Sequence, residues 1–389
     1  MKPSSSRALF ACACVCLLTF GVVLTTLGAV LPSVMERFGI DKASGGALLM
    51  LLTFGILIGA LLFGPVVDRR GYKSILLAAT VLIIIGLQGV AFAPSMGWLR
   101  SAVFLFGFGG GIVNGGANAL VSDISGEARG PRLNLLGVFF GIGALGIPFV
   151  IALLTGRFSH ASLISGVGVL GLVTLTVVAL TKFPPPKQSQ GFPLADAGRL
   201  LRDPVMLLMG MMLFLQSGME ITVGGWTSTF VAEELAVGDR SALIILSLYW
   251  TGMMLARIAI GTVLSSVSPF RILYVCLTIA LVGAIILLTT ASVGLAALGV
   301  FSLGVGFAAM FPTVLGFVGT RYAALSGTAF SAAITMALLG GMLLPYTTGV
   351  LGERFGMRGS FLIVPAALLL LGALLGVLSR ALRGAPRSS

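Results

Sequence analysis

Two ionisable side chains stand in runs that are otherwise apolar or hydroxyl-bearing. Glu220 lies in Gln216-Ser217-Gly218-Met219-Glu220-Ile221-Thr222, and Arg257 closes Trp250-Thr251-Gly252-Met253-Met254-Leu255-Ala256-Arg257. A charge at the centre of a bilayer costs about 2.5–3.5 kcal/mol even on the mild insertion scale. A carboxyl placed there must face a cavity, take a partner or carry a proton, so Glu220 is a candidate for solute binding and for proton coupling. The structural alternative is an ion pair with Arg257, and Arg257 itself reads as a conformational, gating residue. Gln216, one helical turn before Glu220, adds an amide to the same face.

A second group offers hydrogen bonds without charge. Asn114 and Asn118 are four apart, which puts both on one helix face, and their amides supply the donor–acceptor pairs that hydroxyls need. Interhelical bonding is the competing use of such amides. Thr25 adds a hydroxyl from the first apolar stretch. Trp226 follows two glycines and could stack on the flat face of a ring, whereas Tyr249 and Trp250 read as anchors at the membrane boundary. Phe311 occupies the repeat position of Asn114, so the two halves would present different chemistry to one cavity.

Other chemistries lack their residues. Alternate residues on a helix point in different directions, so Cys14 points away from Cys12 and Cys16, and Cys276 lies far off; no metal site is read and no cofactor is implied. Gly107-Phe108-Gly109-Gly110-Gly111 lacks the Gly-Lys-Ser/Thr of a phosphate loop and lies inside an apolar run. No nucleotide site is expected, and no nucleophile–base pair marks an enzyme. His160 is the single histidine and is placed in an external loop.

The elements that must position these groups are membrane helices. Hydrophobic residues make up 57% of the 389-residue chain and charged residues 9%, far below the charge of soluble domains. About twelve runs are long enough to cross a hydrocarbon layer: 8–34, 44–67, 74–93, 98–122, 132–155, 161–182, 204–231, 241–264, 271–291, 293–319, 326–351 and 359–380. The first follows a short polar start and is read as a retained helix, since it exceeds a signal-peptide core. A glycine count of 54 suits close helix approach in lipid.

The chain also repeats itself. At an offset of 197 positions Gly21 falls on Gly218, Gly55 on Gly252, Gly107 on Gly304, Gly109 on Gly306, Gly143 on Gly340 and Pro148 on Pro345. Arg157-Phe158 falls on Arg354-Phe355 at the same offset. This predicts an all-α membrane protein of two six-helix bundles, 1–183 and 204–389, joined by a Pro-rich basic linker at 184–203. Duplicated bundles of this kind place a binding site where the halves meet and work by rocking one half against the other.

The net charge of +12 needs no nucleic acid. Lys2, Arg7, Arg69, Arg70, Lys73, Arg129, Arg132, Lys182, Lys187, Arg199, Arg202, Arg271, Arg321, Arg380, Arg383 and Arg387 fall on one side of the predicted spans. Fewer fall on the other: Arg37, Lys42, Arg100, Arg157, Arg240, Arg354 and Arg358. The positive-inside bias makes both termini cytoplasmic.

Between the second and third spans stands Gly64-Pro65-Val66-Val67-Asp68-Arg69-Arg70-Gly71-Tyr72-Lys73. It resembles the signature loop of the major facilitator superfamily at Gly64, Asp68, Arg69, Gly71 and Lys73. That resemblance implies the major facilitator fold, alternating access and a latch at the cytoplasmic mouth. The glycines are expected to allow a tight turn and close helix approach. The repeat counterpart carries Ser265 where the Asp would fall, which implies an asymmetric latch. Further segments resemble the fucose–glucose permease branch: Asn114-x-x-x-Asn118, Leu133 to Leu145 with Asn134, Gly225-Trp226, Phe311-Pro312-Thr313 and Gly340-Gly341-x-x-x-Pro345. The proton-coupled members of that branch carry acids in the first and fourth helices; here Thr25, Asn114 and Asn118 stand instead.

The expectation is a secondary transporter in the cytoplasmic membrane, moving a small solute, a sugar first, with a proton or other ion as its driving partner. Binding falls to Asn114, Asn118, Gln216, Glu220, Trp226, Thr25 and Phe311, and gating to Gly64, Asp68, Arg69, Gly71, Lys73 and Arg257. The alternatives are a drug or metabolite exporter and a non-transporting sensor.

Overall fold

The computed structural model describes residues 3–125, 129–184, 202–262, 264, 267–322 and 326–383. Among the described residues twelve helices follow one another: α1 Pro3–Phe38, α2 Lys42–Ala91, α3 Met96–Ser125, α4 Arg129–Leu154, α5 His160–Leu180, α6 Pro204–Leu235, α7 Asp239–Thr262, α8 Pro269–Thr289, α9 Val293–Phe307, α10 Met310–Arg321, α11 Ser326–Ser360 and α12 Ile363–Arg383. They contain 12 stretches long and apolar enough to cross a membrane. Helices and spans do not divide alike: α2 carries the second and third spans, and α9 with α10 makes the tenth.

Short polar residues start the helices where the apolar runs begin. Asp41 accepts from the Ser44 amide at 2.8 Å ahead of α2. Ser159 caps α5, moving His160 from the expected loop to the first residue of a helix. Asp203 accepts from the Val205 amide at 2.8 Å with Pro204 opening α6. Each side chain satisfies an amide that the first turn leaves without a partner.

The chain forms two compact units. One comprises Met1–Gln190 with Val237–Ser247, the other Gly191–Ala236 with Leu248–Ser389. The expected linker lies outside the described residues except at its ends. Within each unit the repeat reappears as matched contacts. A side chain on Gly109 would strike the Ala79 carbonyl at 2.5 Å, and one on Gly306 the Cys276 carbonyl at 2.6 Å. Gly107 lies against the Leu52 carbonyl as Gly304 does against that of Tyr249. Each partner is displaced by the same 197 positions as its glycine. Only a residue without Cβ lets these backbones approach so closely.

A matched clamp appears at one end of each unit. Arg37 donates to the carbonyls of Ala91 and Ala93, both at 2.8 Å. Arg358 donates to those of Leu288 at 2.8 Å and Thr290 at 3.2 Å, the repeat mates of Ala91 and Ala93. The last carbonyls of a helix lack intrahelical donors and attract cations, and both arginines meet that need.

Candidate functional site

The groups with the most chemistry converge inside the second unit, from α6, α7 and the α9–α10 junction. Gln216 is buried, and its Nε2 donates to the Phe307 carbonyl at 3.2 Å. Its amide also acts on the Glu220 carboxyl, one turn further along α6, as does the Arg257 guanidinium of α7. Glu220 and Arg257 keep part of their surfaces accessible. Tyr249 is 0% exposed, lies within the electrostatic reach of both, and meets Trp250 and Phe307 edge-on, with ring centroids at 4.9 and 6.1 Å. Among the described residues its hydroxyl is buried without a hydrogen-bond partner, as is that of Thr222. Such an unmade bond costs about 1–3 kcal/mol. The arrangement joins a carboxyl able to hold a proton to an amide, a phenol and a cation able to bind polar groups.

The junction itself is a break in the hydrogen-bond ladder, while Ala308 and Ala309 keep helical dihedrals, at φ −61° and −90°. α9 stops at Phe307 and α10 resumes at Met310, with Ala308 bonding back only three residues, to Val305, at 3.3 Å. Pro312 has no amide hydrogen to offer the Ala308 carbonyl and its ring crowds that carbonyl, which interrupts the ladder here. Gln216 supplies the Phe307 carbonyl with a donor from outside the helix.

Several expectations need correction. Tyr249 and Trp250 are packed inside the second unit, at 0% and 3% exposure, and so do not anchor it to the boundary. Trp226 is also 0% exposed, and its Nε1 donates to the Pro345 carbonyl at 2.9 Å. Two segments that resemble the permease branch thus meet through packing, and the indole presents no open face in this conformation. Phe311 sits half-buried in the first turn of α10. Gln216 spends one donor on backbone. The missed member, Tyr249, left a signal: residues 249, 253 and 257 lie one turn apart on α7 and share a face.

The first unit holds the uncharged group. Asn118 is exposed, and its Nδ2 donates to the backbone carbonyl of Asn114 at 2.9 Å and to Asn114 Oδ1 at 3.0 Å. Asn114 is half-buried. Thr25 is buried and gives its hydrogen to Gly21 of its own helix at 3.0 Å. The Asn134 side chain lies outside the described residues.

The signature segment is more helical than a loop. α2 runs through it, and only Gly71 departs, at φ 75° and ψ 170°. A positive φ costs a glycine nothing, so one residue makes the whole turn. Gly64 does not mediate close approach, since nothing lies within 4 Å of where its Cβ would be. Arg69 is exposed. Lys73 donates to the Ala179 carbonyl at 2.6 Å, near the end of α5, and Tyr72 to Asp123 Oδ2 at 2.7 Å. The Asp68 side chain and all of Ser265 lie outside the described residues.

A related contact closes the second unit outside the spans, where Tyr322 donates to Asp203 Oδ2 at 2.7 Å. Burial pushes the Asp203 carboxyl up, but the bonds from Tyr322 and Val205 and the charge of Arg321 hold it below its usual range. Burial and the carboxylate together push the Tyr322 phenol up to about 12.

Residues 13–345 match the Major Facilitator Superfamily, and the chain belongs to that family. It is a membrane transporter, not an enzyme. An uncharacterized transporter, y4wD, of Sinorhizobium fredii is 24% identical over 369 residues, covering 93% of this chain and 95% of the relative. The 4-hydroxybenzoate transporter PcaK of Pseudomonas aeruginosa is 33% identical over 166 residues, 42% of this chain and 37% of its own. The arabinose-proton symporter of Escherichia coli K12 is 25% identical over 218 residues, 54% and 45% of the two chains. The crystal structure of the nucleoside transporter NupG shares the fold, with a TM-score of 0.80 at 17% identity over 96% of this chain and 99% of that one.

Proposed function

We propose that this transporter carries a small hydroxylated solute, a sugar first, across the cytoplasmic membrane by alternating access, with a proton as the driving ion. The observation that carries this reading is the cluster of Gln216, Glu220, Tyr249 and Arg257 in the second unit. Glu220 is the coupling carboxyl in this reading, because a group that must be neutral to lie cheaply in a membrane is suited to loading and releasing a proton. Asn114 and Asn118 supply hydroxyl-binding amides from the first unit. Asp68, Arg69, Gly71 and Lys73 form the cytoplasmic gate. Likeness to the arabinose-proton symporter supports sugar and proton together.

A second reading, an aromatic carboxylate as the solute, is favoured by Arg257 beside Tyr249, Trp250 and Phe307 and by the stretch shared with PcaK. Both are tested in proteoliposomes with an imposed proton gradient and a panel of pentoses, hexoses and aromatic carboxylates. Accumulation of one sugar that collapses with an uncoupler is the expected result. Accumulation of a carboxylate instead selects the second reading, and no flux of either from folded protein overturns carriage of both. Orientation is tested separately. Arg240→Cys, in intact cells, should react with an impermeant thiol reagent and Lys182→Cys should not; the native cysteines are buried.

A further inference from the structure

Resting on the reading of Glu220 as the coupling carboxyl, we propose that Gln216 is a positioning residue that ties the charge on Glu220 to the backbone break in the tenth span. Gln216 Nε2 has two hydrogens and stands between two acceptors. One hydrogen goes to the Phe307 carbonyl, at the last residue before the helix is interrupted. The other is the donor available to an ionised Glu220, one turn away on the same face. The side chain is almost completely buried at 1% exposure, so it cannot trade either acceptor for bulk water.

The bond to an ionised carboxylate is about twice as strong as one to a neutral acceptor. A charged Glu220 therefore holds the Gln216 amide at a fixed height on α6, and with it the Phe307 carbonyl. Neutralising Glu220, by a proton or by recruitment of its charge to a solute, loosens that anchor. The break then keeps only the weaker end of the bridge. Arg257 and Tyr249, both on α7, are the other ionisable groups acting on Glu220. Gln216 donates to the Phe307 carbonyl and so forms a route from carboxyl to break.

The test is hydrogen–deuterium exchange of the full chain in lipid nanodiscs, read at one pH on peptides spanning 305–314. Glu220→Gln should speed exchange there by about two- to tenfold, the range over which one net hydrogen bond moves an equilibrium. Gln216→Met should raise the same exchange by itself, and adding Glu220→Gln to it should change nothing more. Peptides from α8 serve as the unaffected reference. Unchanged exchange in Glu220→Gln overturns the proposal with no Gln216 variant needed. An equal increase in the native and Gln216→Met backgrounds overturns it as well. Where Gln216→Met fails to fold, Gln216→Leu takes its place. Because this readout needs no flux, a protein that shows the non-additive exchange but no proton-driven transport keeps the link and loses only the coupling reading.

Discussion

Glu234 holds Arg358 by two hydrogen bonds, Oε1 accepting from the backbone amide at 3.0 Å and Oε2 from Nε at 3.1 Å. Glu234 stands at the repeat position of Arg37. In the first unit a single arginine reaches the two carbonyls directly. In the second, an acid at that position carries an arginine brought in from α11 to the same two sites. The clamp has been kept while its charge moved to another element, which explains why aligning the repeats does not reveal it.

This arrangement yields a rescue. Arg358→Ala should lower stability by about 1–3 kcal/mol, because it strands two carbonyls and a partly buried acid. Adding Glu234→Arg should recover much of that loss by rebuilding the geometry of the first unit. Thermal unfolding in detergent, with fluorescence as the readout, measures both. A double variant no more stable than Arg358→Ala would show that the two clamps are not equivalent.

Glu220→Gln preserves shape and some hydrogen bonding but cannot release a proton. Accumulation against a gradient should be lost while counterflow exchange survives in part, since exchange requires loaded carriers to reorient without net proton release. Radiolabel flux in proteoliposomes separates the two. Accumulation at the native level would remove Glu220 from coupling. Loss of exchange as well, restored by Arg257→Gln, would identify a purely structural pair.

In the signature segment, Gly71→Ala should cost about 1–3 kcal/mol, because a positive φ with an extended ψ is essentially confined to glycine. Gly64→Ala, which meets nothing, should be neutral and so controls for the substitution itself. Asp68→Asn should slow cycling while leaving solute binding close to native. Parallel measurements of intrinsic fluorescence titration and flux would count against a gate if both fell together.

The Asp203–Tyr322 bond gives a pH dependence of definite sign. The carboxyl is held low in the folded chain, so its contribution is complete above its ordinary value near 4 and disappears as pH falls through the lower folded value. Tyr322→Phe should therefore lower the melting temperature at pH 7, and the gap from the native chain should shrink as pH drops below about 4. A gap that stays constant into acid would mean that the hydroxyl acts without the charge on Asp203.

Much of the fold was legible because the bilayer imposes a crude rule. Apolar runs of sufficient length locate the spans, and each span agrees with the expected one to within several residues, apart from the end of the eleventh, where α11 runs past Gly356 to Ser360. The repeat was legible for a similar reason, since glycine at a helix crossing has no substitute. Glu220 stood out because its charge is expensive wherever it lies in lipid. Tyr249 did not, because an aromatic near the end of a span looks the same in sequence whether it faces lipid headgroups or the bundle. Gln216 reads as a binding amide and Trp226 as a stacking platform, but their backbone partners, Phe307 and Pro345, lie several helices further along and leave no mark in the local pattern. The expected spans leave 68–73 as a loop, yet one glycine, Gly71, suffices to turn the chain.

The interruption beside Pro312 has a mechanical meaning. Its repeat counterpart, α3, is an uninterrupted rod of 30 residues, whereas in the tenth span the ladder is interrupted between stretches of 15 and 12 residues. Under the same load a continuous ladder of hydrogen bonds transmits force, and an interrupted one yields. One sequence pattern thus gives the two repeats unequal ladders, the looser one beside Gln216, whose amide serves the Phe307 carbonyl.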